Sequence, residues 1–167
     1  MKPQLRLLVF CVCTLVFIGC DRVTKDLAKS HLQFREPVSY LNNTVRLVYA
    51  ENTGAALSFA DDLPKTASFW LLSMFPLAFL TGLGVYVVKK RVEMSYLKLV
   101  SFALLIAGGL GNIFDRIMFD RHVTDFMIVG FGKLQTGIFN VADMCVTAGV
   151  LGLLFTMRET APKSSEA

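Results

Sequence analysis

The chain has 167 residues, 54% of them hydrophobic and 18% charged, with a formal net charge of +4. A soluble domain of this length carries more charge and less apolar mass, so a membrane protein is expected, folded as a single domain over residues 1–167. The basic residues gather at the ends of apolar blocks and form no stripe with interleaved aromatics, which excludes nucleic acid as a partner.

The first apolar block runs from Leu7 to Cys20 behind Lys2 and Arg6. Ile18-Gly19-Cys20 is similar to a lipoprotein cleavage box, with Phe17 where a leucine is usual, so cleavage before Cys20 is one reading. A retained transmembrane helix over about 5–24 is favoured, because the remainder is no soluble secreted domain. Asp21 and Lys25 are four apart, share a helix face and can pair, as an ordinary interfacial ion pair also would.

Residues 26–66 are the most polar part of the chain. Val45, Leu47 and Tyr49 alternate with Arg46 and Val48, which predicts a half-buried strand. Asn42-Asn43 and Asn52-Thr53-Gly54 predict flanking turns, and Asn52 and Gly54 could serve only the turn. A small sheet against the membrane surface is expected.

The second span, about 67–88, is free of charge and close to the length needed to cross the hydrocarbon core. Phe69, Trp70 and Tyr86 suit its interfaces, Pro76 is tolerable inside it, and Lys89-Lys90-Arg91 stops it. A third span is expected over about 98–118, where Gly108, Gly109 and Gly111 would let another backbone approach. Asn112, Asp115 and Arg116 close it, spaced to share roughly one face.

The segment 119–137 is short, polar and turn-rich, with Gly130, Gly132 and Gly137. The fourth span, about 138–157, carries Asn140 and Asp143 in its opening turns, and the polar tail is expected to fray. Cys11, Cys13 and Cys20 in the first block and Cys145 in the last have no zinc or disulfide spacing and read as buried small hydrophobes.

Short basic loops mark the cytoplasmic side, which places both termini there and segments 26–66 and 119–137 outside. Asp21, Asp115, Asp125 and Asp143 then converge on the outer membrane boundary from different parts of the chain. Two carboxylates brought close hold one proton between them, giving an acid and a base that can activate water and protonate a leaving amine. Asn112, Asn140 and Arg116 could orient such a pair. The aspartates could instead join helices through Arg116 and Lys25, or ligate a metal as Asp115, Asp125 and Asp143 with His122. His122 lacks regular ligand spacing, so no metal and no cofactor are expected. Neither His-Glu-x-x-His nor Gly-x-Ser-x-Gly occurs, and Cys145 has no evident histidine partner.

Five blocks now stand in order: Asp21-x-x-Thr24-Lys25; Asn52-Thr53-Gly54-Ala55-Ala56; Gly108-Gly109 through Asn112-x-x-Asp115-Arg116; Val123-Thr124-Asp125-Phe126; and Phe139-Asn140-Val141-Ala142-Asp143. On these the chain resembles the lipoprotein signal peptidase (signal peptidase II) family, bacterial membrane aspartyl peptidases, from Leu5 to about Met157. The resemblance implies four transmembrane helices with a small periplasmic β-cradle and a mobile periplasmic helix. It implies a catalytic pair, Asp125 and Asp143, and a site shaped by Asp21, Lys25, Asn52, Gly54, Asn112, Asp115, Arg116 and Asn140. The implied substrate is a diacylglyceryl-modified prolipoprotein cut just before its lipidated cysteine, in the bacterial inner membrane. Membrane lipid and a globomycin-type inhibitor are further implied partners, and a monomer is expected. Leu57, where an aromatic is expected, and Arg121-His122, where smaller residues are common, depart from the family pattern and bear on substrate preference. A non-catalytic lipoprotein-binding protein of the same fold is the alternative.

Overall fold

The computed structural model describes residues 3–53, 63–132 and 134–159. Gly54 and Leu57 lie outside them. The first helix, α1, is continuous over Pro3–Leu32, about 45 Å at 1.5 Å per residue. It passes the polar boundary at Asp21 and continues beyond residue 26, where an outer polar segment was expected. No glycine or proline interrupts Asp21 to Leu32, and Lys29 and His31 lie in the last turn, the favourable end of the dipole for cations. The chain turns away at Phe34, in the left-handed region at φ 62°.

Strands β1 (Val38–Tyr40) and β2 (Val45–Asn52) follow. The expected turn between them contains Leu41, Asn42 and Asn43, at φ 49°, 52° and 65°, a region that asparagine tolerates better than most residues. Helix α2 spans Lys65–Lys90 and passes through one π turn at Trp70–Met74 just before Pro76. Proline has no N–H to donate and its ring crowds the preceding turn, so the wider turn relieves both problems.

Helix α3 (Tyr96–Met118) starts where the Ser95 side chain accepts a bond from the Lys98 N–H, 3.3 Å away. It is the central helix: half of its most apolar stretch is buried inside the protein, against 11% for α1 and 17% for α2. Leu99, Phe102, Ala103, Ile106 and Ile113 form a core with Phe10 of α1 and Leu80 and Val87 of α2. Helix α4 (Val141–Glu159) packs on α3 through glycine. A methyl on Gly108 would run into the Ala142 carbonyl, and one on Gly149 would sit 2.7 Å from the Ser101 carbonyl. Small residues thus allow the close approach expected of the Gly108 region.

Two more strands, β3 (Val123–Phe131) and β4 (Leu134–Gln135), complete a four-stranded antiparallel sheet in the order β1-β2-β3-β4. The segment read as short, polar and turn-rich therefore holds the longest strand among the described residues. Its residues 123–126 are all buried, so the apolar-polar alternation that marks a one-sided strand is missing. The protein is mostly helical, and among the described residues three helices are long and apolar enough to cross a membrane, with α4 a shorter apolar helix. Leu15, Phe79 and Phe155, each more than half exposed, leave its flanks as apolar as a lipid environment requires.

Candidate active site

Three charged side chains on one short stretch of α1, Asp21, Arg22 and Lys25, meet the ends of α3 and α4. Lys25 is fully buried and its ammonium has three partners: Asp21 Oδ2 at 2.8 Å, Asp115 Oδ2 at 2.8 Å and Asn112 Oδ1 at 3.0 Å. The two carboxylate contacts are ion pairs, and Lys25 donates a hydrogen bond to the amide oxygen. Arg22 donates to Asp115 Oδ1 at 2.6 Å and to Asp26 Oδ1 at 2.7 Å. Asp21 reaches across to α4, where its Oδ1 accepts from the Ala142 N–H at 2.8 Å, one of the helix-start donors that lack a partner within the helix. Gly111 makes room for it: a methyl there would sit 2.7 Å from Asp21 Oδ2. Ions this deeply buried are tolerated only because each is paired.

The α4 start is built by a reciprocal cap. Asn140 precedes the helix and its Oδ1 accepts from the Asp143 N–H at 3.0 Å, while Asp143 Oδ2 accepts from the Asn140 N–H at 3.1 Å. Asn140 is therefore a cap, not a residue of the opening turns as expected. Phe139, just before it, exchanges backbone bonds of 2.9 Å with Met127 of β3, which brings Asn140 beside the neighbouring strand residue Asp125.

Asp125 is 4% exposed. Its Oδ1 accepts from Asn140 Nδ2 at 2.6 Å and its Oδ2 from Asn52 Nδ2 at 3.0 Å, across the β2–β3 pairing. Asp143 Oδ1 accepts from Asn112 Nδ2 at 2.8 Å. Asn140 Nδ2 also lies 3.2 Å from Asn112 Oδ1, so two amides connect the two carboxylates. Lys25 sets the orientation of the first: an ammonium can only donate, so Asn112 must turn its oxygen to Lys25 and its NH2 to Asp143. Asp125 and Asp143 both line a cavity of about 360 Å³, with Asn52, Asn112, Arg116 and Val146 around it. Burial first, then the nearby Asp143, raises the Asp125 carboxyl to about 6, while the bonds from Asn52 and Asn140 oppose the rise.

The expected residues thus form two groups. Asp125, Asp143, Asn52, Asn112, Arg116 and Asn140 gather at the cavity. Asp21, Lys25 and Asp115 form an ionic cluster behind it, touching the first group through Lys25 and Asn112. Asn112 and Asp115 both meet Lys25, and Asp115 also pairs with Arg22, while Arg116 lines the cavity with Asn112. His122 turns its Nδ1 to the Phe119 carbonyl at 2.9 Å, apart from the carboxylates. Among the described residues, no three potential ligands gather for a metal. Arg22 was missed by the sequence reading; its place beside Asp21 and four before Asp26 was the available signal.

Residues 13–158 match the family model described as signal peptidase (SPase) II. The lipoprotein signal peptidase of Francisella tularensis subsp. novicida is 31% identical over 166 residues, covering 98% of each chain. That of Streptococcus pneumoniae is 33% identical over 149 residues, covering 89% of this chain and 92% of the relative. A bacterial membrane enzyme solved by the in meso method at 2.3 Å superposes with a TM-score of 0.79 at 23% identity, over 95% of this chain and 93% of that one, a likeness of fold.

Proposed function

The chain belongs to the signal peptidase II family, which removes signal peptides from prolipoproteins, and we propose that it does so as an aspartic endopeptidase with Asp125 and Asp143 as the catalytic pair. The observation that carries this reading is their shared cavity, where both carboxylates are held by neutral asparagine amides and neither has an ion-pair partner among the described residues. Two such carboxylates, Asp125 buried and Asp143 half-buried, hold one proton between them in the absence of a counterion. The ionised member takes a proton from water as that water attacks the scissile carbonyl, and the protonated member donates to the carbonyl oxygen. Collapse of the tetrahedral intermediate breaks the C–N bond as a proton passes to the departing amine.

Asn112 and Asn140 hold the pair in register, Asn52 fixes Asp125 from β2, and Arg116 shapes the cavity wall. Lys25, Asp21 and Asp115 act one layer back, by orienting Asn112 and joining α1 to α3 and α4. Gly54 enters this reading from the family pattern. The protein is a monomer folded as one domain of four spans, α4 being the fourth, with both termini cytoplasmic. The sheet and cavity then lie at the periplasmic boundary of the inner membrane as the small cradle of the family pattern, where a diacylglyceryl-modified substrate can keep its lipid in the bilayer while the bond before its cysteine is cut. Globomycin would inhibit by occupying the cavity. The basic residues at Arg6 and Lys89 to Lys98 support this orientation.

A gel-shift cleavage assay tests the reading. Protein in detergent is given a diacylglyceryl-modified prolipoprotein, with the Asp143→Asn variant and a globomycin control alongside. The expected result is cleavage by the unaltered protein alone, stopped by globomycin, with the variant slower by about a thousandfold or more. Normal processing by Asp143→Asn would sink the aspartic mechanism.

A further inference from the structure

A second cavity, of about 340 Å³, opens where α2 begins and α3 ends, beside the site just described. It is basic. Lys65, Arg116 and Arg121 line it, with Asp120 as the one carboxylate. Lys65 is occupied by Asp120, whose Oδ2 lies 3.1 Å from its ammonium. Neither guanidinium has a carboxylate partner among the described residues: Arg116 Nη1 donates to the Asn112 carbonyl at 3.4 Å, while Arg116 Nε and Arg121 Nε and Nη2 are buried without a hydrogen bond. Buried donors left unmatched are costly, so a guanidinium pair in this state calls for an acceptor.

The backbone sets Arg121 in place under strain. Asp120 and Arg121 both lie in the left-handed region, at φ 46° and 75°, where residues with a side chain are held only by their surroundings. The Arg121 N–H donates back to the Arg116 carbonyl at 2.9 Å, and this tight turn keeps the second arginine over the end of α3, beside the first. An extended exit from α3 would send it into solvent.

Two apolar side chains, Phe69 and Ile117, line the same cavity. They belong to the first and last turns of α2 and α3, two of the helices apolar enough to cross a membrane. The cavity therefore sits at headgroup level, with cations above and hydrocarbon-compatible walls below. Paired guanidiniums match the geometry of phosphate oxygens, and the apolar wall suits an acyl chain attached to that phosphate.

We propose that this cavity is a phosphate-binding site for an anionic glycerophospholipid of the leaflet that meets the Met118 end of α3. The lipid phosphate bridges Arg116 and Arg121, and one acyl chain follows Phe69 and Ile117 down the groove. Free phosphate could answer the same guanidiniums, but not the apolar wall. The site stands on membrane placement alone, and its test reads lipid retention, so it can fail while the peptidase reading holds.

The test is native mass spectrometry of the full chain released from detergent, with three probes: dioleoylphosphatidylglycerol, dioleoylglycerol and inorganic phosphate. One phosphatidylglycerol should stay on the unaltered protein, and Arg121→Gln should weaken its retention about tenfold or more. Asp120→Asn, which removes the one carboxylate among the described lining residues and frees Lys65, should strengthen it, so a folding defect in the first variant cannot decide the outcome. Dioleoylglycerol should bind weakly and equally to all three proteins. Phosphatidylglycerol retention unchanged in both variants, or dioleoylglycerol held as well as phosphatidylglycerol, would overturn the proposal. Arg121-dependent binding of inorganic phosphate without lipid retention would overturn the lipid assignment.

Discussion

Two groups of carboxylates meet through Asn112, and they differ in what neutralises them. Asp21 and Asp115 share the buried ammonium of Lys25, and Arg22 adds a second cation to Asp115. Asp125 and Asp143 receive only amide and backbone donors. The ion-paired cluster joins α1, α3 and α4. A carboxylate pair bound by neutral amides retains its need for a proton, which is the property that acid–base chemistry uses. The two groups meet at Asn112, whose oxygen faces the first and whose NH2 faces the second.

The largest break in this contrast should come from Lys25→Met. It leaves the buried Asp21 without a cation and Asp115 with Arg22 alone, a change that costs about 3–5 kcal/mol. Thermal unfolding in detergent should show a marked fall in Tm, and activity should fall as well because Asn112 is then free to turn its amide.

A smaller effect should appear in the pH dependence of stability. Burial holds the folded Asp125 carboxyl at about 6, above its unfolded value near 3.9. Its stabilising contribution is therefore fully present below about 4 and is lost as the pH rises through about 6. Between those limits the folded state keeps a proton that the unfolded chain has released. Asp125→Asn has no such proton, so on acidification from pH 7 to pH 4.5 the unaltered protein should gain Tm relative to the variant. Parallel melting curves for the two would contradict the burial assigned to Asp125.

The smallest change should follow Asp26→Ala. Asp26 is 65% exposed and pairs with Arg22 in the solvent-facing part of the cluster, where an ion pair contributes roughly 0–1 kcal/mol. Its Tm should remain close to that of the unaltered protein, and a fall as large as that of Lys25→Met would erase the distinction between inner and outer members.

Much of this arrangement was legible in the sequence where local pattern carried it. Charge-free blocks marked α2 and α3, and the alternation of Val45, Leu47 and Tyr49 marked β2. The strand carrying Asp125 was not legible, because a strand buried along Val123–Phe126 shows no alternation and its pairing with Asn52 spans more than seventy positions. Asn140 was placed inside a helix because three-residue spacing suits both a shared face and a cap; only the Phe139–Met127 pairing decides for the cap. Arg22 was passed over for the same reason, since its partner Asp115 lies on another helix. The candidate pair came from family resemblance, and its division from the ionic cluster came from geometry alone.

The central claim is that compensated carboxylates hold the fold while the amide-bound pair does the chemistry. One paired measurement addresses it most directly: turnover of a lipidated prolipoprotein and Tm, recorded together for Asp125→Asn and Asp115→Asn. The account predicts that Asp125→Asn loses turnover by about a thousandfold or more while melting near the unaltered protein. Asp115→Asn should melt well below it and keep measurable turnover at low temperature. Turnover by Asp125→Asn within about tenfold of the unaltered rate, a loss far below that expected of an acid–base residue, would contradict it.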